Sequence, residues 1–231
     1  MSQPEKENIV SVEQVSKRYQ QGKVVVNAVN NLSLDIKAGE FTALCGPSGS
    51  GKTTLLNMIG GLDLPTEGKI KVESQDLSQL SRVALSHLRR DRIGFVFQAY
   101  NLIPVMTAYE NAEFVLGLQG VPKAQRRERV MSMLEQVGLK GLEFRRPDEM
   151  SGGQQQRVAI ARAIVTHPAV VLADEPTANV DSENAEALLD LMEQLNHSKG
   201  ITFIFSTHDP RVMSRARRLI YLRDGALDVS R

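Results

Sequence analysis

Residues 46–53 read Gly-Pro-Ser-Gly-Ser-Gly-Lys-Thr: a glycine, four residues, then Gly-Lys-Thr. Between a strand and a helix, this spacing makes a cradle for phosphate. The backbone N–H groups of 49–53 are expected to ring a β-phosphate, because Gly46, Gly49 and Gly51 have no side chain to block its approach. Lys52 would bridge the β- and γ-phosphates. The Thr53 hydroxyl would ligate Mg²⁺, and Thr54 would contact the α-phosphate. Pro47, Ser48 and Ser50 complete the loop. A glycine-rich turn that binds nothing shares the pattern. The apolar run "EFTALC" (40–45) before it and the helical pattern from about Gly51 favour the cradle.

A second apolar run, "VVLADEP", ends in two adjacent carboxylates, Asp174 and Glu175. Ligands of parallel sheets sit at the carboxyl ends of the strands. Asp174 is expected to hold Mg²⁺ directly or through water. Glu175, one residue on, points elsewhere and is suited to polarise an attacking water. A turn or helix-capping pair would read the same way in isolation; beside a phosphate loop the acidic strand end has a use. Two other strand ends carry Gln98 and His208. His208 is placed to hydrogen-bond a γ-phosphate. A histidine satisfied by nearby backbone and a plain loop glutamine are the alternatives.

"MSGGQQQRVAIARAIVTHP" (150–168) holds another feature of the same kind. A helix opens at Ser151-Gly152-Gly153, and its N-terminus attracts anions. No lysine stands beside it. It lies about a hundred residues from the phosphate loop, which already serves one nucleotide. If a second copy packs head to tail, this end can cap the γ-phosphate from the opposite side.

Composition bounds these readings. The chain has 231 residues, 42% hydrophobic and 24% charged, which suits a packed core. The net charge of +1 gives no reason to propose a polyanionic partner. The single cysteine, Cys45, makes an intrachain disulfide impossible; it reads as a buried core thiol. No signal-peptide core and no run of about 18–20 apolar residues is present, so no bilayer crossing is expected.

The elements that must position these residues follow from periodicity. The first forty residues read as strands, with only the first eight looking loose. Further strands are expected at 40–45, 92–98, 169–176, 201–209 and 218–225. Helical patterns fall at about 107–118, 122–137 and 152–166, and over 182–200 with Gly200 as the stop. Strands alternating with helices argue for a largely parallel sheet. The fold class is therefore α/β: a phosphate-loop core with a mostly parallel sheet, an antiparallel β layer and an inserted helical lobe. The expected division is a single domain, with 1–98 and 165–231 forming the core and 99–164 the lobe. The arginine runs at 88–92, 124–130 and 215–218 read as solvated helix faces, since no aromatics interleave them.

Taken together, these motifs resemble the ATP-binding subunit of an ABC transporter. They stand in family order: Gly46–Thr53 (Walker A), Gln98 (Q-loop), Ser151–Gln154 (signature), Asp174–Glu175 (Walker B), Asp181 (D-loop) and His208 (H-loop). The resemblance implies a P-loop NTPase fold and ATP and Mg²⁺ as ligands. It also implies an ATPase in which Lys52, Gln98, Glu175 and His208 are catalytic and Thr53, Gln98 and Asp174 surround the metal. Tyr19, in "VSKRYQ", matches the adenine-stacking aromatic; a core or surface tyrosine is the alternative. Ser151, Gly152, Gly153, Gln154 and Asp181 would reach the nucleotide of a second copy. Two departures are mild: Met150 stands where leucine is usual, and Ala178-Asn179-Val180 precedes Asp181.

"IGGLDLPTEGKI", "FVFQAYNLIPVMTAYENAEF" and "LADEPTANVDSENAEALLDLM" resemble the lipoprotein-releasing and macrolide-exporting branch. That implies a homodimer on ATP binding, docked on integral membrane permease subunits at the cytoplasmic face of the inner membrane, with periplasmic components reached through the permease. Tyr100, Leu102, Ile103, Val105 and Met106 would face the membrane partner, or pack between lobes. A soluble ABC-type ATPase acting on nucleic acid or ribosomes is the rival reading. It is disfavoured by one compact cassette and near-neutral charge. A non-catalytic module would be expected to lose Lys52 or Glu175, and both are present.

Overall fold

The computed structural model describes residues 7–22 and 24–230, with only the backbone of Gln21. Of the eight residues expected to be loose, 1–6 lie outside the described residues. Asn8 instead opens a strand and pairs with Lys37.

Two long strands, β1 (Asn8–Gln21) and β2 (Val24–Lys37), pair antiparallel. In β2, Val29, Leu32, Leu34 and Ile36 are buried while their neighbours are exposed. This is the signature of a sheet with one face on the core. Strand β3 (Phe41–Cys45) is buried throughout and runs into the phosphate loop. Helix α1 (Lys52–Ile59) follows, then β4 (Glu67–Val72) and β5 (Gln75–Asp76), which complete a four-stranded sheet in the order β2-β1-β4-β5.

Helix α2 (Arg82–Arg92) leads into β6 (Ile93–Val96). Helices α3 (Ala108–Leu118), α4 (Lys123–Gln136) and α5 (Gly152–Ile164) follow. The chain then returns to the sheet as β7 (Val170–Asp174), α6 (Ser182–Lys199), β8 (Thr202–Thr207), α7 (Pro210–Arg215), β9 (Arg218–Arg223) and β10 (Ala226–Leu227). The second sheet has the order β10-β9-β3-β8-β7-β6, parallel except at the β10 edge. The fold is α/β.

The period-two alternation of the central strands divides two cores. Phe41, Ala43, Phe203, Phe205, Val171 and Ala173 face the helices α3–α6. Leu44, Ile204, Val170 and Leu172 face α1 and the antiparallel sheet. A strand covered on both faces favours apolar residues on both, which is why β7 reads as a nearly continuous run, while β3 and β8 bury Thr42, Thr202, Ser206 and Thr207 among theirs.

Three expectations are corrected. The strand expected over 92–98 covers only 93–96, because α2 runs through Arg92 and Phe97-Gln98 leave the sheet. The helix expected to reach 166 ends at Ile164. None of the three arginine runs is simply a solvated face: in 124–130, Arg126 pairs with Glu113 at 2.8 Å and donates to the Val121 carbonyl at 2.8 Å. Arg92 pairs with Glu73, and Arg89 donates to the Gly61 carbonyl at 2.7 Å. Arg215 meets Glu186, Asp190 and Glu193, and Arg218 meets Glu40.

Candidate functional site

The loop between β3 and α1 is folded by steric necessity. Gly46 has φ +148°, and a Cβ there would lie 2.2 Å from the Leu222 carbonyl oxygen. Gly51 caps α1 at φ +99°, where a Cβ would lie 2.4 Å from the Ala28 carbonyl oxygen. Only glycine meets both demands. The Lys52 ammonium donates to the Gly46 and Pro47 carbonyls at 2.8 and 2.9 Å, so the cation is held against the loop itself.

Opposite the loop, adjacent parallel strands deliver the polar groups. Thr53 at the start of α1 donates through Oγ1 to Asp174 Oδ1 at 3.0 Å. This pair of hard oxygens at the edge of a phosphate cradle fits Mg²⁺, which keeps several waters and takes few protein ligands. Glu175 turns sharply out of β7 with φ +45°, its N–H donating to the Ser206 carbonyl at 2.9 Å. A non-glycine residue there costs on the order of 1–3 kcal/mol, which the surrounding structure must over-determine. The turn aims Glu175 away from Asp174. Its Oε2 accepts from Thr207 Oγ1 at 3.1 Å, and its Oε1 lies 2.7 Å from His208 Nδ1. Asp209, next in sequence, caps α7 and accepts from the buried Thr177 hydroxyl at 2.7 Å. Burial works against its charge, yet hydrogen bonds from Arg211 and Thr177 hold the carboxyl down to about 2. His208 is thus carried on an anchored turn.

A cavity of about 690 Å³ joins these groups. Tyr19, Pro47, Ser48, Gly49, Gly51, Lys52, Thr53, Thr54, Gln98, Glu175 and His208 line it. Asp174 reaches it through Thr53. Val26, Asn27 and Ala28 of β2 also line it, though nothing in the β2 alternation marks them out, and so does Ala178, two residues before Val180 in the segment leading to Asp181. Two loop residues stand apart from their expected place. Gly46 is not among the residues that line the cavity. The Ser50 N–H, expected to face phosphate, donates to the Pro47 carbonyl at 3.2 Å, and its Oγ is buried.

The five residues expected to reach a second copy are elsewhere. Ser151, Gly152, Gly153, Gln154 and Asp181 do not line the cavity. Ser151 Oγ accepts from the Gln154 N–H at 3.3 Å, and Gln154 Oε1 accepts from the Ser151 N–H at 3.0 Å, a reciprocal cap on α5. Asp181 caps α6 by accepting from the Asn184 N–H at 3.0 Å. Asn179 links the regions. Its Nδ2 donates to the Gln98 carbonyl at 2.9 Å, and its carbonyl accepts from Tyr100 at 2.7 Å. The buried Met150 packs in the helical core, so the departure from leucine keeps an apolar contact.

Cys45 ends β3 immediately before the loop and is fully buried. Burial pushes its thiol up to about 11, with Lys52 pulling the other way. At pH 8 only about one thiol in a thousand is then thiolate. An aromatic disulfide reagent is expected to leave Cys45 unmodified in the folded chain and to titrate one thiol once guanidinium is added. Rapid labelling without denaturant would contradict this burial.

A phosphate loop on a parallel sheet, with an acidic strand end opposite, defines a P-loop nucleoside triphosphatase. Comparison narrows the class. Residues 29–178 match the family described as ABC transporter. An uncharacterized ABC transporter ATP-binding protein of Methanocaldococcus jannaschii, MJ0796, is 43% identical over 224 residues, covering 95% of each chain. The macrolide export ATP-binding/permease protein MacB of Hyphomonas neptunium is 43% identical over 219 residues, covering 95% of this chain and 34% of that protein. A dimeric structure of a post-hydrolysis state of the MJ0796 cassette bound to ADP and Pi superposes with a TM-score of 0.88, covering 95% of this chain and 96% of that one at 43% identity. The chain belongs to the ABC transporter family. It is an ATP-binding cassette and an ATPase subunit of a transporter.

Proposed function

We propose that two copies of this chain close around two ATP molecules, each bound by the phosphate loop of one copy and the α5 N-terminus of the other. The observation that supports this is the separation of the two anion-binding features. The cavity holds Lys52, Thr53, Gln98, Glu175 and His208, while Ser151–Gln154 lie outside it. The relative's cassette is dimeric in its ADP and Pi complex. In the closed state Tyr19 stacks on the adenine, the N–H groups of the loop and Lys52 hold the phosphates, and Glu175 orients water on the γ-phosphate. His208, braced on Glu175, meets the γ-phosphate. Mg²⁺ held by Thr53, Gln98 and Asp174 would offset the phosphate charge.

Closure does work on an integral membrane permease. Among the described residues no helix is long and apolar enough to cross a membrane, so a membrane path would have to come from another polypeptide or segment. A groove of about 370 Å³ between the sheet edge and the helices, lined by Leu62, Arg89, Phe95, Phe97, Val115 and Leu118, suits a docked element of that partner. Asn101 reaches this groove. Val105 and Met106 instead line a neighbouring one, with Phe114. We place the chain at the cytoplasmic face of the inner membrane, in a lipoprotein-releasing or macrolide-exporting type of assembly that reaches periplasmic components through the permease and makes no direct nucleic-acid contact. Affinity capture of the tagged chain from detergent-solubilised native membranes tests this. An integral membrane subunit is expected in stoichiometric amount. Recovery with ribosomes or nucleic acid, and from the soluble fraction, would replace the proposal by its rival.

A further inference from the structure

Tyr19 is not a free aromatic at the cavity wall. Its hydroxyl donates to Asp63 Oδ2 at 2.7 Å. The other carboxylate oxygen accepts from Lys17 Nζ at 2.6 Å and from the Leu64 N–H at 2.8 Å. Lys17 also donates to the Leu64 carbonyl at 2.8 Å, and its ammonium lies 4.9 Å from the centre of the Tyr19 ring. Residues 17 and 19 share a face of β1, as the strand period requires. Lys17 is largely buried for a lysine, its side chain 13% exposed. Each end of this network is therefore fixed: the carboxylate by three donors, the ring by its hydroxyl and by the cation over it.

Asp63 owes its place to α1. Beyond the helix end, the Leu62 and Asp63 N–H groups both turn back to the Asn57 carbonyl, at 2.9 and 3.4 Å. The helix that begins at Lys52 in the phosphate loop thus ends in the segment that grips Tyr19. No other assigned role accounts for Asp63.

We propose that Asp63 is a positioning residue for nucleotide binding: with Lys17 it holds the Tyr19 ring ready for the base, so that stacking needs no ordering step. This rests on the reading of Tyr19 as the base-stacking residue. A tyrosine freed of its tether regains rotamers at χ1 and χ2, and each bound nucleotide must then immobilise it. Lys17 lies over the ring, and Tyr19 itself lines the cavity where a base would stack. Neither Asp63 nor Lys17 lines the cavity, so both reach a bound nucleotide only through Tyr19.

Calorimetric titration of the full chain with ATP, and separately with inorganic tripolyphosphate, tests the proposal. Asp63→Ala and Tyr19→Phe are each expected to weaken ATP binding about three- to tenfold, the scale of one hydrogen bond. Tripolyphosphate binding is expected to stay unchanged. Asp63→Asn keeps an acceptor for the Tyr19 hydroxyl and should lose less. Adding Asp63→Ala to Tyr19→Phe should cost less than the sum of the two, because both remove the same hydroxyl link. The proposal is overturned if Asp63→Ala weakens both ligands alike, leaves ATP affinity unchanged, or adds fully to Tyr19→Phe. Tyr19→Ala separates the two levels. If it weakens ATP selectively while Asp63→Ala does nothing, only the tether fails. If Tyr19→Ala leaves ATP affinity unchanged, the stacking reading fails and the tether with it.

Discussion

Glu175→Gln is expected to lower ATP turnover by about 10²- to 10⁴-fold, the usual contribution of a positioned general base, while ATP still binds. Glutamine keeps the size of the side chain and can keep the contacts to Thr207 Oγ1 and His208 Nδ1 that fix its rotamer. What it loses is the charge that draws a proton from water. The same loss removes repulsion between a carboxylate and the γ-phosphate, so an ATP-bound dimer should persist instead of reopening. Gel filtration with ATP should show the variant at twice the monomer mass and the wild type shifting only transiently. The left-handed backbone at Glu175 is shared by both side chains, so the variant tests the charge of the group and not its direction. A Glu175→Gln chain that hydrolyses ATP at the normal rate would remove Glu175 from the water-orienting role.

Which parts of this architecture were legible in the sequence follows from how local their causes are. The phosphate loop is eight contiguous residues, and its clashes at Gly46 and Gly51 permit one residue type each. Strands β3 and β7 are mostly apolar because both faces are covered, and β8 carries the apolar stretch Phe203-Ile204-Phe205 for the same reason. By contrast, α2 shows in the sequence only as the arginine run 88–92, because its buried side is only Leu85 and Leu88 among many charges. Its cap, Ser81 accepting from the Ala84 N–H, was the available signal. Strand β4 alternates Ile70 and Val72 with lysines, but Gly68 and its six-residue length hid the period. Helix α7 is six residues long, too short for any period to show. The Tyr19–Asp63 link joins residues 44 apart, one on a strand and one in a loop. No periodicity encodes such a pair. Only the packing of β1 beside the end of α1 brings it together.

The same argument explains why each anion-binding end can be read from contiguous residues while joining them takes a second copy, and it sets the largest test of the dimer. Ser151→Arg is expected to cut turnover by at least about 10²-fold, the scale of removing an oriented donor from a developing oxyanion, with monomer ATP affinity unchanged. Ser151 does not line the chain's own cavity, so its own nucleotide cannot sense the change. Arginine removes the cap on α5, costing about 1 kcal/mol, and sets a long cation on the surface a second copy must approach. Ser151→Ala, which loses the cap without the bulk, gives the stability correction. Mixing decides the matter. A Ser151→Arg chain keeps its phosphate loop, and a Lys52→Ala chain keeps its α5 end. Their heterodimer has one complete site only if each site is built from both copies. Random pairing of equal amounts should then recover about a quarter of the wild-type sites, since half the dimers carry one each. If every site lies within one chain, both partners are broken and the mixture stays inactive. Recovery of turnover from two inactive preparations, absent from either alone, is therefore the result the shared triphosphate demands.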